Sequence, residues 1–168
     1  VRVDFNVPFE LATNRISDDI RIPDAHPTIT YLQSNGASVI LCTHLGRPDG
    51  RASETLSLGP IADRLAELLG QPVPYIRDAP GADAKAAARS LAAGEVMLLE
   101  NIRFWPQEEQ NDSGFSNELA RLADVYVNDA FGTAHRSHAS TEGLAHMLPA
   151  VAGLLMEKEI DSLGTVLS

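Results

Sequence analysis

Residues 39–51 read Val39-Ile40-Leu41-Cys42-Thr43-His44-Leu45-Gly46-Arg47-Pro48-Asp49-Gly50-Arg51. The apolar run at 39–42 shows no in/out alternation, which suits a strand covered on both faces, and the abrupt change to histidine, glycine, arginine and proline marks the loop that leaves it. Downstream, Ile61, Leu65, Leu68 and Leu69 fall at helical spacing over residues 58–69, with Gly70 and Pro72 to stop the helix. Strand, polar loop and helix in that order make half of a parallel crossover unit.

The unit recurs to either side. Further apolar runs lie at residues 1–5, 73–76, 96–99 and 125–127. Helical patterns occupy residues 24–34 with Ile29 and Leu32, residues 83–93 up to Gly94, and residues 115–123 after the polar run 111–114, with Ser116 or Ser113 as the candidate cap. A last helix is expected over residues 154–167, with Leu155, Ile160, Leu163 and Val166 on its apolar side. This alternation predicts an α/β fold: a three-layer αβα, Rossmann-like arrangement with a doubly wound, mostly parallel sheet. Residues 1–168 are expected to form one domain. Its first strand starts at residue 1 with no preceding turn and its last helix ends with no cap, so a longer parent, truncated at the start, is expected.

The 168 residues carry 13 basic and 23 acidic side chains, a formal charge of -10, and 44% hydrophobic residues. A chain of this length buries roughly 70% of the surface its unfolded form exposes, enough for a core without disulfide or metal staples. The acidic balance argues against broad nucleic-acid or anionic-membrane binding. No apolar stretch reaches the ~18 residues of a membrane span, and the amino-terminus lacks the order of a signal peptide, so a cytoplasmic location is expected. Cys42, the single cysteine, reads as a small buried hydrophobe in a reducing compartment.

In an open α/β sheet, ligands collect at the carboxyl ends of the strands. Asp4 and Asn6 follow the first run; His44 and Arg47 the second; Asn101 and Arg103 the fourth; Asn128, Asp129, His135 and Arg136 the fifth. Eleven of the 13 cations are Arg, whose planar fork suits phosphate and carboxylate, although codon bias toward Arg accounts for the total equally well. Arg47, Arg103 and Arg136 at three strand ends point to a shared anion site, against the bland reading of separate solvated charges. Asp4 and Asn6 are either strand-end caps or acceptors for a substrate hydroxyl. Arg21, in the polar segment 17–23, either folds over the same edge or stays on the surface. His135 and His138 with His44 and Asp129 give only a weak metal signal, and no metal is expected. Gly46, Gly132 and Gly143 belong to no GxxxxGK[ST] or GxGxxG pattern, so no nucleotide phosphate cradle is expected.

The segments VRVDFNVP, ISDDIRIPDAHPTITYL, THLGRPDG, LLENIRFWPQEEQND, YVNDAFGTAHRSHAST and LLMEKEI resemble, in order and spacing, the successive signatures of the phosphoglycerate kinase family, in its amino-terminal half only. The resemblance implies reversible phosphoryl transfer between ATP and the carboxylate of 3-phosphoglycerate, forming 1,3-bisphosphoglycerate in glycolysis. It assigns Asp4, Phe5 and Asn6 to substrate binding, Arg21 to the transferring phosphoryl group, and His44, Leu45, Gly46, Arg47, Arg103 and Arg136 to the substrate, the cations among them gripping its 3-phosphate. It further implies a carboxy-terminal nucleotide domain, absent from these residues, that holds ATP or ADP with Mg²⁺, so that no cofactor is expected in this chain, which alone would bind the acid without turnover. The parent is expected to be monomeric. A free-standing phospho-acid binding module is the alternative, and an interface protein with an incidental Arg set is a third.

Overall fold

The computed structural model describes residues 1–10 and 16–167, and side chains up to residue 164. Two short helices come first, α1 (Arg21–Asp24) and α2 (His26–Ser34), followed by β1 (Val39–Leu41), α3 (Gly59–Leu69), β2 (Tyr75–Ile76), α4 (Ala82–Ser90) and β3 (Val96–Leu99). Then come α5 (Pro106–Glu109), α6 (Ser113–Ala120), β4 (Tyr126–Asn128), a π-helical turn (Ala139–Gly143), α7 (Leu144–Met147), β5 (Ala150–Ala152) and α8 (Leu154–Leu167).

All strand pairs are parallel: β1 and β2 flank β3, and β4 pairs with β5. The amino-terminal segment joins these two groups, because Arg2 bridges Cys42 on one side and Asn128 on the other. The Arg2 N–H donates to the Val127 carbonyl at 2.8 Å, and the Val3 N–H to the Cys42 carbonyl at 3.0 Å. The spatial order is therefore β2, β3, β1, the amino-terminal segment, β4, β5. This is the expected α/β architecture, with crossovers placed on both faces.

Side-chain alternation along the strands sorts the core into two layers, as the pleat requires. Val3, Phe5, Val39, Leu41, Val96 and Leu98 pack on one face against Ile29 of α2 and Ile61 and Leu65 of α3. Cys42, Met97, Leu99 and Tyr126 pack on the other against Phe115 and Leu119 of α6 and Leu144 of α7. Cys42 is thus the buried hydrophobe expected, and burial raises its thiol pKa to about 11.

Several local expectations are corrected. The first run is reduced to a bridge at Arg2, because Asp4 and Asn6 turn the chain away from the ladder. β5 was not expected: its residues are all exposed and too short for a pattern. The cap of α6 is Asp112, whose carboxylate accepts from the Phe115 N–H at 2.7 Å, in place of either serine. Helix α4 ends at Ser90, and Gly94, at φ +83°, turns the chain back toward β3. Arg21 opens α1 where a polar loop was expected. On α8, Ile160 and Leu163 are exposed, while the Val166 side chain lies outside the described residues.

Candidate anion-binding site

Because the strands run parallel, every strand-to-helix loop leaves the sheet at one edge, so residues 4–6, 43–47, 100–103 and 129–136 meet there. Asn101 ties two of these loops together. Fully buried, it accepts from the Leu45 and Arg103 N–H groups, both at 3.2 Å, and donates to the Leu45 and Leu56 carbonyls at 2.8 and 3.0 Å. Its amide is committed to the backbone and turned inward, away from the open edge. Asn6 ties on a third loop by accepting from the Gly46 N–H at 2.9 Å. Gly46 makes this approach at φ +61°, a left-handed conformation costly for other residues. The Phe5 side chain lies in the core, its N–H donating to Thr43 Oγ1 at 2.9 Å, and Leu45 is equally buried. Both residues meet the site through backbone alone.

Positive charge gathers on this frame. Arg103 is only 5% exposed; its Nη1 donates to the Gly46 carbonyl at 2.9 Å, its Nε lies 3.4 Å from Glu109 Oε1 without hydrogen-bond alignment, and its buried Nη2 has no partner among the described residues. Desolvation, the nearby Arg136 and Arg2 all lower its pKa. His44, 4% exposed, is held at about 2, first by burial and then by the charges of Arg2, Arg103 and Arg136. Three guanidinium charges therefore oppose protonation of one imidazole, and Arg2 touches it directly at 3.0 Å. An unpaired buried donor of this kind is costly unless an anion completes it. Arg136 is half-buried beside this cluster, whereas Arg47, next in sequence to Gly46, is exposed and without an ion-pair partner among the described residues.

A cleft of about 230 Å³ is lined by Asp4, Arg21, Asp129, Phe131, Gly132 and Glu159 among others. Arg21 Nη1 pairs with Asp4 Oδ2 at 3.0 Å, with Arg21 half-exposed, so α1 brings this cation over the edge and leaves the rest of its fork accessible. Asp129 points into the protein: its Oδ1 accepts from the Leu155 and Met156 N–H groups at 3.0 and 3.2 Å and caps α8. Asn128 accepts from the Ala130 N–H at 3.1 Å, a local turn, and His135 stays exposed.

Sequence reasoning missed Arg2, Glu108 and Ser140. Arg2 is 1% exposed and reaches His44 Nδ1 through Nη2 at 3.0 Å. Nothing in a strand-borne Arg signals burial, and the partner residues lie far along the chain. Among the described residues no group of His, Cys, Asp and Glu is placed to share a metal, and no glycine-rich turn matches a nucleotide fingerprint. Among the described residues no helix is long and apolar enough to cross a membrane.

The family model for phosphoglycerate kinase matches residues 1–168. Curated phosphoglycerate kinases are similar over essentially the whole chain: that of Moorella thermoacetica is 58% identical over 168 residues, and that of Herpetosiphon aurantiacus 59% over 167. In both cases the chain spans 42% of the relative's length. The phosphoglycerate kinase structure from Pyrococcus horikoshii superposes with a TM-score of 0.87 at 40% identity, covering 96% of this chain and 41% of that one; the Coxiella burnetii structure gives 0.86 at 36%, covering 97% and 40%. The Arg-rich edge of a parallel sheet, derived above from the residues alone, is thus carried by a chain that belongs to the phosphoglycerate kinase family.

Proposed function

We propose that this chain is the phosphoglycerate-binding half of a phosphoglycerate kinase, with residues 1–168 forming one substrate domain. The parent protein transfers a phosphoryl group reversibly between ATP and the carboxylate of 3-phosphoglycerate: a carboxylate oxygen attacks the terminal phosphorus, ADP leaves, and 1,3-bisphosphoglycerate forms. The observation that carries the reading is the buried, partly unpartnered Arg103 fork beside Arg136 and a neutral His44. A dianionic phosphate placed there accepts the unfilled N–H groups, each charge-assisted bond contributing roughly 1.5 to 3 kcal/mol before ordering costs. Arg47 closes the same group from the exposed side.

Asp4 and Asn6 take the hydroxyl and carboxylate end of the acid, Phe5, Leu45 and Gly46 contributing backbone. Arg21, held over the edge by Asp4, spreads its charge toward the transferring phosphoryl group. Phosphoryl transfer rests on positioning and electrostatic stabilisation more than on a protein nucleophile, and this chain supplies both through arginine. ATP and its magnesium are held by the remainder of a parent protein that works as a cytoplasmic monomer.

Calorimetric titration tests the reading. The protein should bind 3-phosphoglycerate with an affinity that Arg103→Ala lowers by at least about tenfold, while Mg-ATP should give no heat with residues 1–168 alone. Equal affinity in Arg103→Ala removes the proposed site. In the full-length enzyme, Arg21→Ala should depress kcat far more than it raises KM; equal changes in both would reduce Arg21 to a binding residue.

A further inference from the structure

Beneath the cation cluster runs a buried polar chain that the proposed function leaves unused. Glu108, on α5, is fully buried and accepts twice from Ser140, from its N–H at 2.8 Å and its hydroxyl at 2.5 Å. Arg2 Nε lies 3.0 Å from the same Ser140 hydroxyl oxygen, Arg2 Nη1 donates to the Val3 carbonyl, and Arg2 Nη2 lies 3.0 Å from His44 Nδ1. Directions along this chain are forced. A guanidinium only donates, so the Ser140 oxygen receives Arg2 Nε–H and passes its single proton to Glu108. By the same rule His44 Nδ1 must present its lone pair to Arg2, which places the ring proton on Nε2.

We propose that Glu108 and Ser140 are positioning residues of the anion site: acting through Arg2, they hold the His44 ring in one orientation with its proton on Nε2, so that it meets a bound phosphorylated acid as a neutral donor. The proton assignment stands on the chain's own geometry; its consequence for binding rests on the phosphoglycerate reading given above. A neutral donor suits this place. Arg2 touches the ring, and Arg103, Arg136 and His138 act on it in the same sense, while Glu108 and Glu109 act on Arg103 and His138, so a charged imidazole would add repulsion to a crowded cationic set. Glu108 also balances Arg2 in the interior, where removal of either partner exposes an uncompensated charge. Ser140 is the joint between them, one hydroxyl serving both.

The test uses the full-length protein with nitrogen-15-labelled histidine. Ligand-free wild type should show His44 with an unprotonated Nδ1 and a protonated Nε2. Ser140→Ala should mix the tautomers and raise the KM for 3-phosphoglycerate about three- to tenfold with kcat nearly unchanged, and Ser140→Thr should restore both. Glu108→Gln, which keeps the volume and one acceptor, gives the same spectral reading if Ser140→Ala does not fold. A wild-type proton on Nδ1 overturns the proposal whatever the variants do. So does a His44 signature unchanged in Ser140→Ala or in Glu108→Gln. If the signature behaves as stated while 3-phosphoglycerate fails to bind, the positioning chain stands and the phosphoglycerate reading falls.

Discussion

Arg103 and Arg64 carry the same side chain in opposite circumstances. Arg64 lies on the surface of α3, bonded to Asp19 at 2.7 Å and Glu67 at 2.8 Å, whereas Arg103 is buried with two nitrogens unfilled. A desolvated, underpaired cation is a liability in the ligand-free fold. Arg103→Met should therefore leave ligand-free stability unchanged or raise it by about 1 kcal/mol, while abolishing the rise in melting temperature that 3-phosphoglycerate gives the wild type; a large loss of ligand-free stability would mean that Arg103 supports the fold. His44 gives a second prediction at this scale. Held at about 2 when folded against an ordinary 6.5, it takes up a proton on unfolding throughout the interval between those values. Stability from this group is whole above the ordinary value and drains as pH falls below it, at up to about 1.4 kcal/mol per pH unit. In His44→Gln the acid limb of a stability-versus-pH curve should be shallower by about one proton, and an identical slope would show that His44 charges freely in the folded state.

At the scale of elements, the sequence was most readable where burial is two-sided. β1 and β3 carry unbroken apolar runs because helices cover both their faces, and α3 stops at Gly70 in the left-handed conformation that glycine there implied. β5 escaped notice because Ala150, Val151 and Ala152 are all exposed, so no apolar pattern marks them. Its pairing with β4 nonetheless delivers Gly153 to the start of α8, next to Asp129. The Gly153 N–H donates to the Asn128 carbonyl at 2.9 Å, and a Cβ built on Gly153 would collide with the Asp129 side chain, its carboxylate and Cβ alike. Space, with no left-handed φ involved, is what glycine supplies. Gly153→Ala should push the Asp129 carboxylate off the α8 N-terminus and cost about 1 to 2 kcal/mol, read as a lower denaturant midpoint. In an Asp129→Gly background, which removes the whole side chain that the new Cβ would meet, the same substitution should cost much less; equal costs in both backgrounds would rule out the cap as the cause.

For the whole molecule, the arrangement of charge matters more than its sum. The chain carries a formal charge of -10, yet Arg2, Arg103 and Arg136 share one strand-end rim and act on one histidine. The rim was legible because parallel strands send every carboxyl end to one side, and four of the predicted strand ends carried polar residues. Arg2 was not legible, since its burial depends on Ser140 and Glu108, which reach it only through the folded chain. The two charge patterns act on an approaching dianion over different ranges. At about 0.01 M salt the Debye length is ~30 Å, and the acids over the whole surface repel the ligand while the rim attracts it; at about 0.15 M it is ~8 Å, and the distant acids are screened more than the partly buried rim. The opposing contributions should flatten the salt dependence of association. Stopped-flow measurement should find the on-rate for 3-phosphoglycerate changing by less than about tenfold between those ionic strengths, with weaker binding at high salt appearing mainly in the off-rate. A fall in on-rate by several powers of ten, as for a uniformly cationic surface, would mean that the acidic surface plays no part in the approach.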